Sequence, residues 1–75
     1  MEYVVVSYPK DRKVRIDDKV AGNTNDKLMV ETGHHVFDLG NPRDYKPLWV
    51  EKIVQNTTSV TPLRINDFEP TGGTT

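Results

Sequence analysis

Short runs of alternating apolar and polar residues fill the chain, and turn-forming residues separate them. Residues 12–17 place Val14 and Ile16 on one face and Arg15 on the other, and the same pattern returns at 27–31. A period of two is typical of β-strands that bury one face. No segment has a convincing helical period, and five prolines leave little room for a long helix. The pattern therefore predicts an all-β domain.

The alternation predicts a small antiparallel β-sandwich of six to seven strands. The predicted strands span residues 2–8, 12–17, 27–31, 34–39, 48–55 and 60–66, with a short extended piece at 19–21. Their inner members form the predicted core, which consists of Val14, Ile16, Leu28, Val30, Phe37, Leu39, Leu63 and Ile65. Asp17 and Asp18 predict a tight turn, because Asp tolerates positive φ better than most residues. We expect a domain over residues 1–68 and a disordered tail over residues 69–75, which has little to bury.

Two strands have two apolar faces, so alternation alone does not orient them. In the first strand the inner set is either Val4, Val6 and Tyr8 or the alternate residues Tyr3, Val5 and Ser7. In the strand at 48–55, Trp49 and Ile53 compete for the core with Leu48, Val50 and Val54. Apolar residues on both faces indicate a central strand or a second buried surface. A small core needs its few aromatic side chains, which favours a buried Trp49, although an exposed Trp49 in a binding surface is the alternative.

Charge and cysteine content exclude several classes of site. The net charge is −1, which argues against sequence-independent nucleic-acid binding, since such binding uses a positive face. The chain has no cysteine, so neither a disulfide nor a thiolate zinc site is available. No apolar run approaches the length of a membrane-spanning helix or of a signal peptide. We expect no membrane insertion.

Six short motifs follow one another in a fixed order along the chain. They are Ser7-Tyr8-Pro9, Val14-Arg15-Ile16-Asp17-Asp18, Gly22-Asn23-Thr24, Leu28-Met29-Val30, Gly33-His34-His35 and Tyr45-Lys46-Pro47. In order and spacing they resemble the PEGA family of small β-modules. Two departures stand out: residues 9–13 replace the Pro-Glu-Gly-Ala signature, and Asp18 and Asp44 stand where the family has glycine.

The resemblance implies a fold and a type of function. PEGA modules resemble transthyretin-like and carboxypeptidase-regulatory β-sandwiches, and most are accessory modules of envelope, surface-layer and signalling proteins. By that resemblance the chain is not an enzyme, has no cofactor, and binds a protein partner or a flanking domain. If it is part of a longer protein, the resemblance implies a cell-envelope or cell-surface context. It also implies that His35 lies on the core side at the start of its strand, with its ring bonded to the backbone.

The residues that suggest chemistry have simpler explanations. His34 and His35 are adjacent on a strand and point to opposite faces, so they do not chelate one metal ion together. The aspartates lack the regular spacing of a calcium loop. Ser7 and Ser59 lie outside any nucleophile-elbow motif. We therefore predict no catalytic, cofactor or metal site.

A basic cluster and a few aromatic residues form the candidate interaction surface, which consists of Tyr45, Trp49, Lys13 and Arg15. Our first hypothesis is a non-catalytic module that binds protein through an exposed strand edge or through these side chains. The alternative is a small OB-like or SH3-like nucleic-acid-binding domain that uses the basic cluster at residues 10–15. Phe68 is a further aromatic residue that fits a binding surface.

Overall fold

The structure is a computed structural model that describes residues 1–71, and within them it is all-β, as the alternation predicts. It holds no helix with the length and hydropathy to cross a membrane. Nine strands follow one another along the chain: β1 (Glu2–Val6), β2 (Lys13–Ile16), β3 (Lys19–Asn23), β4 (Lys27–Val30), β5 (Gly33–Asp38), β6 (Tyr45–Lys46), β7 (Val50–Val54), β8 (Leu63–Ile65) and β9 (Glu69–Pro70).

The strands form two main sheets and one small one. The orders are β4-β1-β8, β3-β2-β5-β7 and β6-β9. Neighbouring strands are antiparallel with one exception, because β1 and β8 are parallel, with Val4 opposite Leu63 and Val6 opposite Ile65. The predicted antiparallel pairing is thus confirmed for all neighbouring strands except this pair.

The core lies between the two main sheets and contains the residues that alternation predicts. Every predicted core residue is buried except Leu63, which packs against the core and is half-buried. Of the two possible inner faces of β1, the structure buries the one with Val4 and Val6, and Tyr8, which follows the strand, is buried as well. The further members of the core are Tyr45, Val50, Val54 and Phe68.

The turns follow from residues that accept unusual backbone angles. Asp17 and Asp18 have φ of 53° and 69° and connect β2 to β3, which confirms the predicted tight turn. Gly22 leaves room for the Leu28 side chain, which a Cβ at this position would strike. Asn25, also at positive φ, uses its amide to bond both the N–H and the C=O of Tyr8, and so stands in for a strand partner.

The C-terminal prediction needs a correction. Glu69 and Pro70 pair with Lys46 and Tyr45, and the Thr71 N–H donates to the Asp44 carbonyl at 2.8 Å. The pairing gives this segment backbone hydrogen bonds that its composition does not reveal, so residues 69–71 belong to the fold. Residues 72–75 of the predicted disordered tail lie outside the described residues.

Candidate interaction surface

The four-stranded sheet has one face on the core and one face toward solvent, which we call the outer face. Arg15 lies opposite Val20 on one side and Asp38 on the other, and Val36 lies opposite Glu51. These residues alternate with the buried Val14, Ile16 and Phe37, so the register of β2 and β5 sets the outer face. The face is a mixture of charged and apolar side chains.

The apolar part of the outer face is concentrated on β7 and the residue before it. Trp49 is 57% exposed and Ile53 is 64% exposed, while Val50 and Val54 are buried. The interpretation that favours a buried Trp49 is therefore wrong. Val50 and Val54 fill the core side of β7, and the period of two directs Trp49 and Ile53 outward.

Arg15 is the central cation of the outer face. Its Nη1 lies 3.6 Å from Asp38 Oδ1, and its Nη2 donates to the Asp18 carbonyl at 3.2 Å and lies 3.6 Å from the Asp18 carboxylate. Its aliphatic stem passes next to Gly40, where a Cβ would crowd the side chain. Two carboxylates and a close backbone therefore hold the guanidinium in place.

An open cavity of about 420 Å³ lies on the outer face, between the sheet and the loop that follows β5. Its lining is mixed in charge and in polarity, with Trp49 at one wall and Arg15 at another. Mixed linings of this kind suit a peptide or a protein side chain, which combines apolar and polar groups. The lining residues are Arg15, Asp18, Val36, Asp38, Gly40, Arg43, Tyr45, Leu48, Trp49 and Glu51.

Tyr45 contributes to this surface differently from the prediction, because it is only 3% exposed. Its ring packs edge-on against Phe68 at 5.6 Å, and its hydroxyl accepts a hydrogen bond from the Leu39 N–H at 3.2 Å. Phe68 is likewise buried, so the prediction that it joins a binding surface is also wrong. Both aromatic residues support the loop that carries Leu48 and Trp49, and Tyr45 reaches the cavity only as part of its wall.

Arg12 fixes the same loop from the other side. Its guanidinium lies 5.3 Å from the Tyr45 ring centroid, pairs with Asp44 at 2.6 Å and donates to the Pro42 carbonyl at 2.7 Å. Its hydrogen bond holds the pKa of Asp44 below the ordinary range of a carboxyl group. Arg12 is thus a structural residue, and only 12% of its side chain is exposed.

Lys13 lies apart from the other predicted surface residues. It lines a second open depression with Asp11, Arg12 and residues 23–26, beyond the end of β2 that is far from the Asp17 turn. The structure thus brings Arg15, Trp49 and the edge of Tyr45 to one cavity and leaves Lys13 outside it. Alternation does not reveal this separation, since Lys13 and Arg15 are two positions apart on one strand and a β-bulge follows Val14.

The two histidines have separate surroundings. His34 is exposed on the outer face and lies 3.2 Å from the Glu51 carboxylate. The His35 ring bonds Asp17 Oδ2 through Nδ1 and the Glu31 carbonyl through Nε2, both at 2.7 Å. The bond to a backbone carbonyl confirms the expectation for His35, while the carboxylate partner is a contact that sequence pattern did not reveal.

The partners of His35 favour the charged form of its ring. Both ring nitrogens face acceptors, and only the protonated ring donates from both nitrogens. Burial by itself lowers the pKa of His35, but the hydrogen bonds to Asp17 and to the Glu31 carbonyl outweigh it, and the pKa lies above its ordinary value. The same hydrogen bond lowers the pKa of Asp17, whose other oxygen accepts from the Val36 N–H at 3.0 Å.

Comparison with known proteins does not place the chain in a family. Within residues 1–71, no three His, Asp or Glu side chains come close enough together to hold a metal ion. No family model matches the chain, and neither a curated protein nor a solved structure matches it.

Proposed function

We propose that the chain is a non-catalytic β-sandwich module that binds a protein through the outer face of its four-stranded sheet. The observation that carries the proposal is the exposed Trp49, the only tryptophan of the chain, at the wall of an open cavity. Leaving a large aromatic side chain in water forgoes the stabilisation that its burial would give a small core. Tryptophan is also the residue type that most often contributes strongly to protein interfaces.

The charges beside Trp49 fit the same role. Arg15, Asp38 and Glu51 lie within one lining and carry both signs, so a partner meets fixed charges next to an apolar ring. Such an arrangement gives specificity and orientation more than raw affinity. The motif resemblance adds that the module is of the PEGA type and serves as an accessory unit in a cell-envelope or cell-surface protein.

The basic residues 10–15 do not favour the nucleic-acid alternative. Arg12 is committed to Asp44 and two carbonyl groups, and Arg15 is committed to Asp18 and Asp38. Lys10 and Lys13 remain as exposed cations of the cluster, without an ion pair among residues 1–71. Two lysines neutralise too few phosphates for firm binding at physiological salt.

A site-specific photo-crosslinking experiment tests the proposal. A photoreactive phenylalanine analogue replaces Trp49 in one protein and Met29 in a control, since Met29 is 58% exposed but lies on the other main sheet. Both proteins are irradiated in cells that produce the full-length gene product. We expect a single cellular protein to be crosslinked to the module through position 49 and not through position 29.

The linked protein is then purified and titrated by calorimetry against the wild type, Trp49→Ala and Met29→Ala. We expect the Trp49 variant alone to lose affinity. Equal binding by all three proteins, or crosslinks that are identical at both positions, would contradict the proposed surface.

A further inference from the structure

Strand β7 is an open edge of the four-stranded sheet. Among residues 1–71 no strand pairs with its far side. It is five residues long and contains neither proline nor glycine. The opposite edge, β3, is interrupted by a bulge and contains Gly22, and β8 has three residues after Pro62. The remaining edge of the main sheets, β4, has four residues and begins with the exposed Lys27. Bulges, glycine, proline, short length and edge lysines disfavour strand addition, and β7 is the longest edge that has no bulge, glycine or proline.

The backbone of β7 points specific hydrogen-bonding groups at this open edge. Val36 directs both its C=O and its N–H toward Asp17, on the β2 side, at 2.8 and 3.0 Å. Its pairing with Glu51 is therefore of the non-hydrogen-bonded type, in which both residues turn their backbone groups outward. By alternation, Glu51 and Ile53 present their N–H and C=O groups to the open edge.

The side chains of β7 suit addition of a strand there. Ile53 is 64% exposed on the outer face and lies opposite the polar His34 within its own sheet. Lys52, which points the other way, is held by Asp67 at 3.3 Å and does not shield the edge as a free lysine would. The edge therefore combines unpaired backbone groups with an exposed β-branched side chain.

We propose that a second copy of this chain adds antiparallel to β7, with Ile53 opposite Ile53 of the second copy. Symmetric registers centred on Glu51, Lys52 or Ile53 pair at least three residues of β7 with β7 of the second copy, and charge selects among these three. Centring on Glu51 opposes two carboxylates and centring on Lys52 opposes two ammonium groups, whereas centring on Ile53 places Glu51 opposite Gln55 and Lys52 opposite Val54. Like charges directly opposite each other destabilise a strand pair. A net charge of −1 adds little repulsion between copies.

This pairing deepens the proposed function and rests on it. A twofold axis through a hydrogen-bonded pair stands perpendicular to the sheet, so both outer faces end on the same side. The two Trp49 cavities then lie on one continuous sheet, and the module presents its partner with a bivalent surface.

Single cysteines measure the register, because the chain has none of its own. In the proposed dimer the two Cα atoms at position 53 lie about 5.5 Å apart, within disulfide range. Those at position 51 are offset along the strands by about 13 Å, beyond that range. We expect Ile53→Cys to form a disulfide dimer under mild oxidation far faster than Glu51→Cys or Met29→Cys. Comparable rates for positions 53 and 29 would overturn the proposal, and fastest linkage at position 51 would overturn the register.

Sedimentation equilibrium measures the association without a covalent bond. We expect a concentration-dependent dimer for the wild type and for Met29→Lys, and a dissociation constant raised at least about fivefold for Ile53→Lys, which opposes two ammonium groups. Circular dichroism confirms that each variant is folded. A wild type that stays monomeric at millimolar concentration would refute the dimer, while the crosslinking of a partner at position 49 would remain a separate result for the proposed function.

Discussion

Replacing Phe37 with alanine tests the core at its most confined position. The Phe37 side chain is fully buried on β5, between Ile16 of β2 and Val50 of β7. Its ring also meets the His35 ring edge-on, with centroids 6.4 Å apart. Strands on both sides leave the backbone little freedom to close the space that the ring vacates.

The expected cost follows from that confinement. A buried Phe→Ala substitution costs about 3–5 kcal/mol in lost burial and in the cavity that it leaves. A core in a chain of 75 residues rarely supplies more than about 3–5 kcal/mol of net stability. Phe37→Ala should therefore consume most or all of the free energy of unfolding, and Phe37→Leu should cost about 1–2 kcal/mol because it keeps most of the volume.

Thermal and urea unfolding, followed by circular dichroism, measure the effect. Each kcal/mol corresponds to about 4–8 °C of melting temperature in a domain of this size, so the alanine variant should melt roughly 12–40 °C lower or be unfolded at 25 °C. Met29→Ala, at an exposed position of β4, is the matched control and should stay within about 0.5 kcal/mol of wild type. A Phe37→Ala protein that melts with the wild type would refute the assignment of the core.

Four further predictions follow from individual contacts. Arg12→Lys should loosen the loop before β7 and shift the fluorescence emission of Trp49. The reason is that an ammonium group cannot bind Asp44 and the Pro42 carbonyl while also stacking on the Tyr45 ring. An unchanged emission spectrum would show that these contacts do not hold the loop. The pKa of His35 is raised above its ordinary value of 6.5, so its contribution to the free energy of unfolding is complete below that value and is lost as pH rises through the folded pKa. The urea midpoint should therefore fall as pH rises above about 6.5 in the wild type and change less in His35→Gln. Hydrogen bonds from Thr32 and Thr57 lower the pKa of Glu2 from its ordinary value of 4.5 to about 2. The contribution of Glu2 to the free energy of unfolding is therefore present above pH 4.5 and is lost as pH falls toward 2. A Glu2→Gln protein with the same acid-unfolding profile as the wild type would contradict this. Fluorescence anisotropy should detect no binding of single-stranded or duplex oligonucleotides at micromolar concentration and about 0.15 M salt, and micromolar binding that Lys13→Glu with Arg15→Glu abolishes would favour the nucleic-acid alternative.

Local alternation predicts the strands and the core where each strand has one clearly apolar face. Val14 and Ile16 are buried because the polar Arg15 leaves one orientation for their strand. The orientation of β1 depends on its parallel neighbour β8, which brings Leu63 and Ile65 to the same side as Val4 and Val6. A pairing between distant segments leaves no trace in the local pattern, so the sequence offers both faces of β1 as candidates.

The candidate surface was predictable only in part for the same reason. Arg15 and Trp49 belong to segments that the fold brings together through β5, and the hydrophobicity of Trp49 alone favours the core. Tyr45 is buried by Phe68 and by the β6-β9 pairing, in which each strand has two residues and is too short to show a period. Sequence pattern thus identifies chemically capable side chains and leaves their exposure to the tertiary fold.

The parallel pair of β1 and β8 has a consequence for how the domain folds. Val4 and Val6 complete their sheet only when residues 63–65 are available, almost the whole chain later. The chain must lose the entropy of closing this long loop before the contacts between β1 and β8 can stabilise it. We therefore expect a folding time near the slow end for small domains, about milliseconds to seconds. During synthesis, the edge of β1 that pairs with β8 therefore stays open until residues 63–65 have left the ribosome. Until then, a strand of another unfolded chain can pair with that edge instead.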